Sequence, residues 1–265
     1  MPEGDSIRRV AAKLAPLVGQ TLERVTTQGI ERDLAGRTIA ALHPHGKHLM
    51  IDLDDATQLR MHLGMNGRVR FYTRDEGDAA VARMSPGRAS LVLVTASHVA
   101  MWINAPTVEI APRRGPSRGL AVGSLGPDVL ADGFDPHVAA ARAAAHPDRT
   151  IAETLLDQRV AAGIGNIWKS ESLHARGIDP RTKTGAISAD EIASLYQAAR
   201  ELMLANLASA APRASTARFA VYSKTGQPCP QCSTPIEAFQ MGDPPRWTWS
   251  CPRCQPRGGR TGVSC

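Results

Sequence analysis

The chain has 265 residues, 43% of them hydrophobic, which is enough to bury a core and to build two domains, or one domain with a small appendage. Lysine and arginine exceed the acidic residues by six and the pI is near 9.4, a balance that favours a polyanionic partner through counterion release. No apolar run approaches the roughly 18–20 residues that span a bilayer, no basic amphipathic stretch argues for a membrane surface, and nothing at the N-terminus resembles a signal peptide, so cytoplasm or nucleoid is the expected compartment.

The first motif is Met1-Pro2-Glu3-Gly4-Asp5. Removal of Met1, which a small following residue permits, leaves Pro2 as a free secondary amine. Such an amine condenses with an aldehyde to an iminium, an electron sink that drives cleavage beta to it, as lysine amines do in covalent catalysis. Glu3 is placed to move protons. On its own this start also fits the many chains that begin Met-Pro for reasons of processing.

An opening helix is predicted near Ser6 to Leu17. Short runs then alternate apolar and polar residues between Gly, Pro and Asp turns: Leu22 to Thr26, His48 to Leu53, Gly67 to Tyr72 and Ser90 to Val94. That pattern predicts a two-layer β-sandwich. From Leu125-Gly126-Pro127-Asp128 onward the chain turns Ala-rich with helical spacing, predicting helices at His137–His146, Ile151–Gln158, Asn166–Ala175 and Asp190–Leu207. The expected organisation is multidomain α+β: a sandwich domain over 1–126, a helical domain over 127–220, a cysteine module over 221–256 and a basic tail over 257–265. Ala208 to Ala220 reads as a connection.

Within the helical domain, the run Asp157 to Trp168 places Gly163 and Gly165 just ahead of a helix. Glycines there permit tight turns that aim several N–H groups outward, a setting suited to a phosphate, with Asn166 at its mouth. The same spacing also fits an ordinary interhelical turn with Asn166 as N-cap.

Cys229, Cys232, Cys251 and Cys254 form two Cys-x2-Cys pairs separated by 18 residues. Two close thiolate pairs supply a tetrahedral four-sulfur set, which suits one structural Zn2+ with no position open for a catalytic water. Two disulfides would need an oxidising compartment. Cys265, the last residue, is assigned no chemistry.

Taken together, Pro2-Glu3-Gly4, the lysine of His45-Gly46-Lys47-His48-Leu49, the run Asp157 to Trp168 and the cysteine module resemble the formamidopyrimidine-DNA glycosylase and endonuclease VIII family. The four motifs occur in the family's order over about residues 2 to 255. The resemblance implies a bifunctional base-excision repair enzyme, a DNA glycosylase with abasic-site lyase activity. It implies an N-terminal β-sandwich with flanking helices, a helix-two-turn-helix domain and a zinc-finger β-hairpin, with DNA in the cleft between them and a monomeric protein. Pro2 would attack C1′, and Glu3 would protonate the opening sugar. Lys47 and Arg246, the latter five residues before Cys251, are further catalytic residues by the resemblance: Lys47 would contact the phosphate beside the lesion and assist catalysis, and with Asn166 the two would grip the backbone on either side of it. Met65, in His62-Leu63-Gly64-Met65-Asn66-Gly67, would fill the void left by an extruded base, and His62 is a candidate phosphate contact. Outside the family context, Arg246 also reads as an exposed ribbon residue, and Trp247 and Trp249 as a cover for the zinc-bound core. His43, His45, His48 and His98 have no convincing metal partner and read as structural.

Departures from the family pattern narrow the substrate. The formamidopyrimidine branch carries an inserting Arg-Arg-Phe-Gly segment where this chain reads Trp102-Ile103-Asn104-Ala105-Pro106-Thr107-Val108-Glu109. The stretch before Cys229 is too short for that branch's lesion-covering loop. Both features are closer to endonuclease VIII and favour oxidised pyrimidines, in duplex or single-stranded DNA. Asp5-Ser6 replaces the Pro-Glu that follows Gly in better-known endonuclease VIII enzymes. Two rival readings remain: a catalytically weak or silent member that binds damaged or single-stranded DNA, and a zinc-ribbon transcription or ribosomal accessory factor, which would leave Pro2, Glu3 and Lys47 idle.

Overall fold

The computed structural model describes residues 2–28, 33–85, 87–112, 122–209 and 218–258. Met1, most of the Ala208–Ala220 connection, and the end of the basic tail with Cys265 lie outside the described residues. The chain divides into two compact units, Met1–Ser124 and Leu125–Cys265, and the cysteine module belongs to the second.

The first unit opens with α1 (Gly4–Leu14), followed by a short 3-10 turn at Ala15–Leu17. The predicted single helix to Leu17 breaks there because Pro16 has no N–H to continue the α ladder. Ile7, Val10, Ala11 and Leu14 follow helical spacing and are buried in the core. Two four-stranded antiparallel sheets form the sandwich. One runs β1 (Leu22–Thr27), β6 (Ala89–Thr95), β7 (His98–Ile103), β5 (Arg68–Thr73); the other runs β2 (Ile39–His45), β3 (His48–Leu53), β4 (Thr57–His62), β8 (Thr107–Pro112). Leu22, Leu91, Leu93 and Trp102 from the first sheet meet Ile39, Leu49, Ile51, Leu53, Leu59 and Met61 from the second. Alternation along β3 thus sends Leu49, Ile51 and Leu53 inward, as its sequence pattern requires.

A helix not anticipated from sequence, α2 (Arg74–Ala82), covers the other face of the first sheet, where Val92, Val94, Val99 and Met101 pack against Ala80 and Val81. Gly77 lies so close to Val99 that a Cβ there would fall 2.3 Å from the valine Cβ. Tertiary packing therefore makes this helix in spite of its mid-helix glycine.

The second unit contains α3 (Pro136–Ala143), α4 (Ile151–Leu156), α5 (Asn166–Arg176) and α6 (Ala189–Ala208) around Ile151, Leu155, Trp168, Leu173, Leu195 and Tyr196. Capping boxes start two of them: Thr150 with Glu153 opens α4, and Ser188 with Glu191 opens α6. Gly177, left-handed at φ 65°, ends α5. A hairpin of β9 (Glu237–Met241) and β10 (Arg246–Ser250) follows. Its small core joins Val221, Ile236, Cys229, Cys251 and Cys254. The buried Glu171 carboxylate of α5 accepts the N–H groups of Ala220, Val221 and Tyr222 at 2.7–2.9 Å, pinning the start of this module to the helix. Among the described residues, no helix is long and apolar enough to cross a membrane.

Candidate functional site

In the first unit, the candidate residues sit at the ends of elements and in turns. Pro2 stands just before the N-cap of α1 and is partly exposed. Glu3 is the helix N-cap, 0% exposed, and its carbonyl accepts the Ile7 N–H at 3.1 Å. The helix dipole favours negative charge at this end. Asp5, in the position that departs from the family pattern, is buried in the first turn and faces Arg9 at 3.8 Å.

Lys47 occupies the two-residue turn between β2 and β3, after Gly46 at φ 53°. Glycine at the first turn position is what a II′ hairpin demands. Pro44 is tolerated one residue from the end of β2 because β2 is an edge strand. Strand register brings His45, His48 and His62 into a row, with the His48 and His62 rings 4.8 Å apart. Burial, then His62, holds the His48 pKa down at about 4; burial and then Lys47 lower that of His62. Both imidazoles are therefore neutral at physiological pH. His62 Nδ1 accepts the Gly64 N–H at 3.0 Å, which leaves the ring's proton on Nε2 as an outward donor. The tight turn that follows, closed by Gly67 N–H to the Leu63 carbonyl at 2.8 Å, presents Met65 at 62% exposure.

In the second unit, the loop from Asp157 to Gly165 is shaped by side chains. Gln158 Nε2 donates to the carbonyls of Leu156 and Ile164, while its Oε1 accepts the Gly163 N–H. Asp157 receives Arg149 and Arg159 at 2.8 Å, and the Arg159 hydrogen bond, then Arg149, holds its carboxyl well below the usual carboxylate range. Gly165 is the N-cap of α5, not Asn166, which is its first helical residue. Asn166 therefore does not cap; its Oδ1 accepts the ammonium of Lys169 at 2.7 Å.

Arg246 opens β10 and is exposed. Trp249 packs on Tyr222 at 4.7 Å, donates to Thr225 Oγ1 at 3.1 Å and joins the cysteine core. Trp247 does not cover that core, being 51% exposed. The four cysteine sulfurs lie within 4.8 Å of one another, and three of the separations are 3.4–3.8 Å. Zn–S bonds of about 2.3 Å imply tetrahedral edges of about 3.8 Å, so this sulfur set fits a four-thiolate metal site, and the spacing excludes S–S bonds. A hydrogen bond from Thr234 is the main cause that lowers the Cys232 thiol to about 6, while burial pushes Cys251 up.

Sequence reasoning missed three residues here. Lys169 is three positions after Asn166 and so lies on the same face of α5, a spacing that was readable. Glu171 and His174, whose Nε2 is 3.3 Å from Cys229 Sγ, carried no local signal because their partners are 49–55 residues away.

Sandwich, helix-two-turn-helix unit and four-cysteine hairpin together define the architecture of DNA-repair glycosylases of the MutM type. The MutM (Fpg) protein of Thermus thermophilus matches with a TM-score of 0.79 at 28% identity, covering 97% of this chain and all of that one. Lactococcus lactis Fpg, solved with abasic-site DNA, matches in fold with a TM-score of 0.82 at 23% identity, covering 96% and 100%. The model of the formamidopyrimidine-DNA glycosylase N-terminal domain matches residues 1–105, and that of its H2TH domain residues 125–217. A probable endonuclease 8 2 of Streptomyces coelicolor is 36% identical over 99% of both chains. The DNA-(apurinic or apyrimidinic site) lyase Nei2 of Mycolicibacterium smegmatis is 36% identical over 96% of this chain and 99% of its own. This chain belongs to the formamidopyrimidine-DNA glycosylase and endonuclease VIII family, and the endonuclease 8 relatives are more similar to it than formamidopyrimidine-DNA glycosylases such as that of Paracoccus denitrificans, at 30% identity.

Proposed function

We propose that the chain is a bifunctional DNA glycosylase and abasic-site lyase of base-excision repair, that it prefers oxidised pyrimidines, and that Pro2 is its nucleophile. The observation that carries this reading is the pairing of Pro2 with the fully buried Glu3 at the start of α1. A packed helix fixes the pair, which places amine and carboxyl within one residue of each other.

After Met1 removal the Pro2 amine, with an ordinary pKa of about 7.7–8.0, is partly neutral at physiological pH. Its nitrogen bonds to C1′ as the C1′–base bond breaks, the base leaving with the bonding electron pair; the Glu3 carboxylate takes the N–H proton from the amine and passes it to the opening sugar oxygen as C1′=N forms. The resulting iminium acidifies the C2′ hydrogen. Loss of that proton expels the 3′ phosphate, a second elimination expels the 5′ phosphate, and water returns the amine. Lys47, Asn166, Arg246 and the Nε2–H of His62 are assigned to backbone phosphates, and Met65 to the gap in the base stack. Those contacts offset the few kcal/mol that base extrusion costs. One Zn2+ held by Cys229, Cys232, Cys251 and Cys254 supplies the hairpin with a structural cross-link.

Support for pyrimidines comes from the segment that replaces the family's inserting Arg and Phe. Trp102 is fully buried in the sandwich core and Ala105 is buried beside it, so neither serves as a wedge. Borohydride trapping on duplex and single-stranded oligonucleotides carrying an abasic site or an oxidised pyrimidine tests the proposal. A covalent adduct is expected from the Met1-processed protein, weakened in Pro2→Gly and lost when Met1 is retained. Failure to trap any substrate, with processing, zinc and DNA binding verified, would leave a lesion-binding protein without lyase chemistry.

A further inference from the structure

Lys169 is 1% exposed, yet it carries an ammonium group in the middle of α5. Its Nζ donates to Asn166 Oδ1 at 2.7 Å, to the Trp247 carbonyl at 3.0 Å and to Thr248 Oγ1 at 2.8 Å. An ammonium has three donors, and here each has an acceptor. Two of those acceptors belong to β10, immediately after Arg246, and the third is the side chain of Asn166. Thr248 is fully buried, so the strand is fixed where the lysine meets it. Burying a lysine is costly and is tolerated only when such partners are present.

We propose that Lys169 is a positioning residue for phosphate binding, one that sets Asn166 and the Arg246 strand in a single fixed geometry. This inference rests on the assignment of Asn166 and Arg246 to phosphate contacts. An ammonium cannot accept a hydrogen bond, so the amide oxygen of Asn166 must face Lys169, and the Nδ2 donors are thereby turned to the opposite side. A phosphate oxygen accepts hydrogen bonds and needs those donors. The same nitrogen holds the carbonyl of Trp247, one residue after Arg246, which fixes where the guanidinium starts from. One buried cation thus orients a neutral donor and a charged donor on two elements 80 residues apart in sequence, as their numbers show.

The test uses the zinc-loaded, full-length protein and a duplex with a tetrahydrofuran abasic analogue, in wild type, Lys169→Met, Lys169→Arg, Arg246→Ala, Asn166→Ala and the Lys169→Met/Arg246→Ala double variant. Lys169→Met keeps the stem and removes the donors. It is expected to weaken binding about tenfold and to reduce the slope of log K against log salt by about 1, as loss of one phosphate cation does. Arg246→Ala should lower the slope equally, and the double variant should fall no further than about twofold below Arg246→Ala, because one coupled unit has been broken twice. Lys169→Arg should restore most of the slope. Lys169→Met that loses thermal stability but keeps its slope below the melting temperature, or effects that add fully in the double variant, overturn the positioning role while leaving the phosphate site intact. If Arg246→Ala and Asn166→Ala themselves bind like wild type, the phosphate assignment falls, and the inference falls with it.

Discussion

The two units hold their candidate residues by different means. In the first, an apolar sandwich core fixes the helix and strand ends at which Pro2, Glu3, Lys47, His62 and Met65 stand, His62 as the last residue of β4 and the others just beyond regular structure. In the second, buried polar side chains are the pegs: Lys169 joins α5 to β10, Glu171 joins α5 to the cysteine module, and four cysteines close the hairpin. Apolar packing tolerates small changes of shape, whereas a buried charge tolerates no loss of its partner. The first unit, to which the covalent chemistry and the Lys47 and His62 phosphate contacts are assigned, is therefore built to be robust, and the second, to which the Asn166 and Arg246 contacts are assigned, is built to be exact in geometry.

Metal removal is the harshest test of that contrast. Structural zinc contributes on the order of 10 kcal/mol to small thiolate modules, and the core around Cys229, Cys251 and Cys254 is too small to persist without it. Chelation should cost at least about 100-fold in affinity for abasic-site duplex. Hydrogen exchange should show protection lost in 221–256 and kept in β3, β4, β6 and β7. Loss of protection in both units would show that the sandwich does not stand on its own core.

Acid should act on the first unit through His48. Its folded pKa of about 4 lies below the unfolded value of 6.5, so between these values the unfolded chain binds a proton that the folded chain does not. Stability is then complete above pH 6.5 and is lost as pH falls toward 4, by on the order of 2–3 kcal/mol. Urea unfolding of the first unit at pH 7 and pH 4.5 measures this. His48→Gln should flatten the dependence, and an unchanged slope in that variant would assign the proton elsewhere.

Asp157→Asn sharpens the polar side of the comparison. The substitution removes the charge that Arg149 and Arg159 share but keeps an oxygen for the Arg159 backbone N–H. Because Arg159 is largely exposed, the expected loss is about 2 kcal/mol, below the 3–5 of a fully buried pair. Thermal unfolding of the second unit checks it, and a change under about 0.5 kcal/mol would mark the pair as incidental.

Much of this was legible in the sequence, and the exceptions share a cause. The pattern predicts the His48–Leu53 strand at its observed bounds and the helices from His137 onward to within two or three residues, because their apolar spacing is set by the faces they bury. The bounds of β4, β7 and β8 are not legible in this way: in β4, Leu59 and Met61 sit between Gln58, Arg60 and His62, and the burial of Gln58 and Arg60 depends on partners such as Asp52 across the sheet rather than on neighbours along it. The same holds for the site. Motif residues were readable by spacing, but Lys169, Glu171 and His174 act through contacts that only the folded chain creates.

The smallest expected effect belongs to Gly64, whose position decides how Met65 is shown. The residue combines φ 57° with a site where a Cβ would lie 2.7 Å from Cγ of Pro106. Left-handed backbone costs a non-glycine residue about 1 kcal/mol, and the proline ring must also shift, so Gly64→Ala should destabilise the first unit by about 1–2 kcal/mol. Its Gly64 N–H bond to His62 Nδ1 would be strained at the same time, which ties the turn to the imidazole tautomer. Abasic-site affinity should therefore fall more in Gly64→Ala than in Met65→Ala, since the first disturbs both the exposed methionine and the His62 donor while the second removes the methionine alone. Equal losses would mean that the turn serves Met65 only, and that the His62 proton is held in place by something other than this loop.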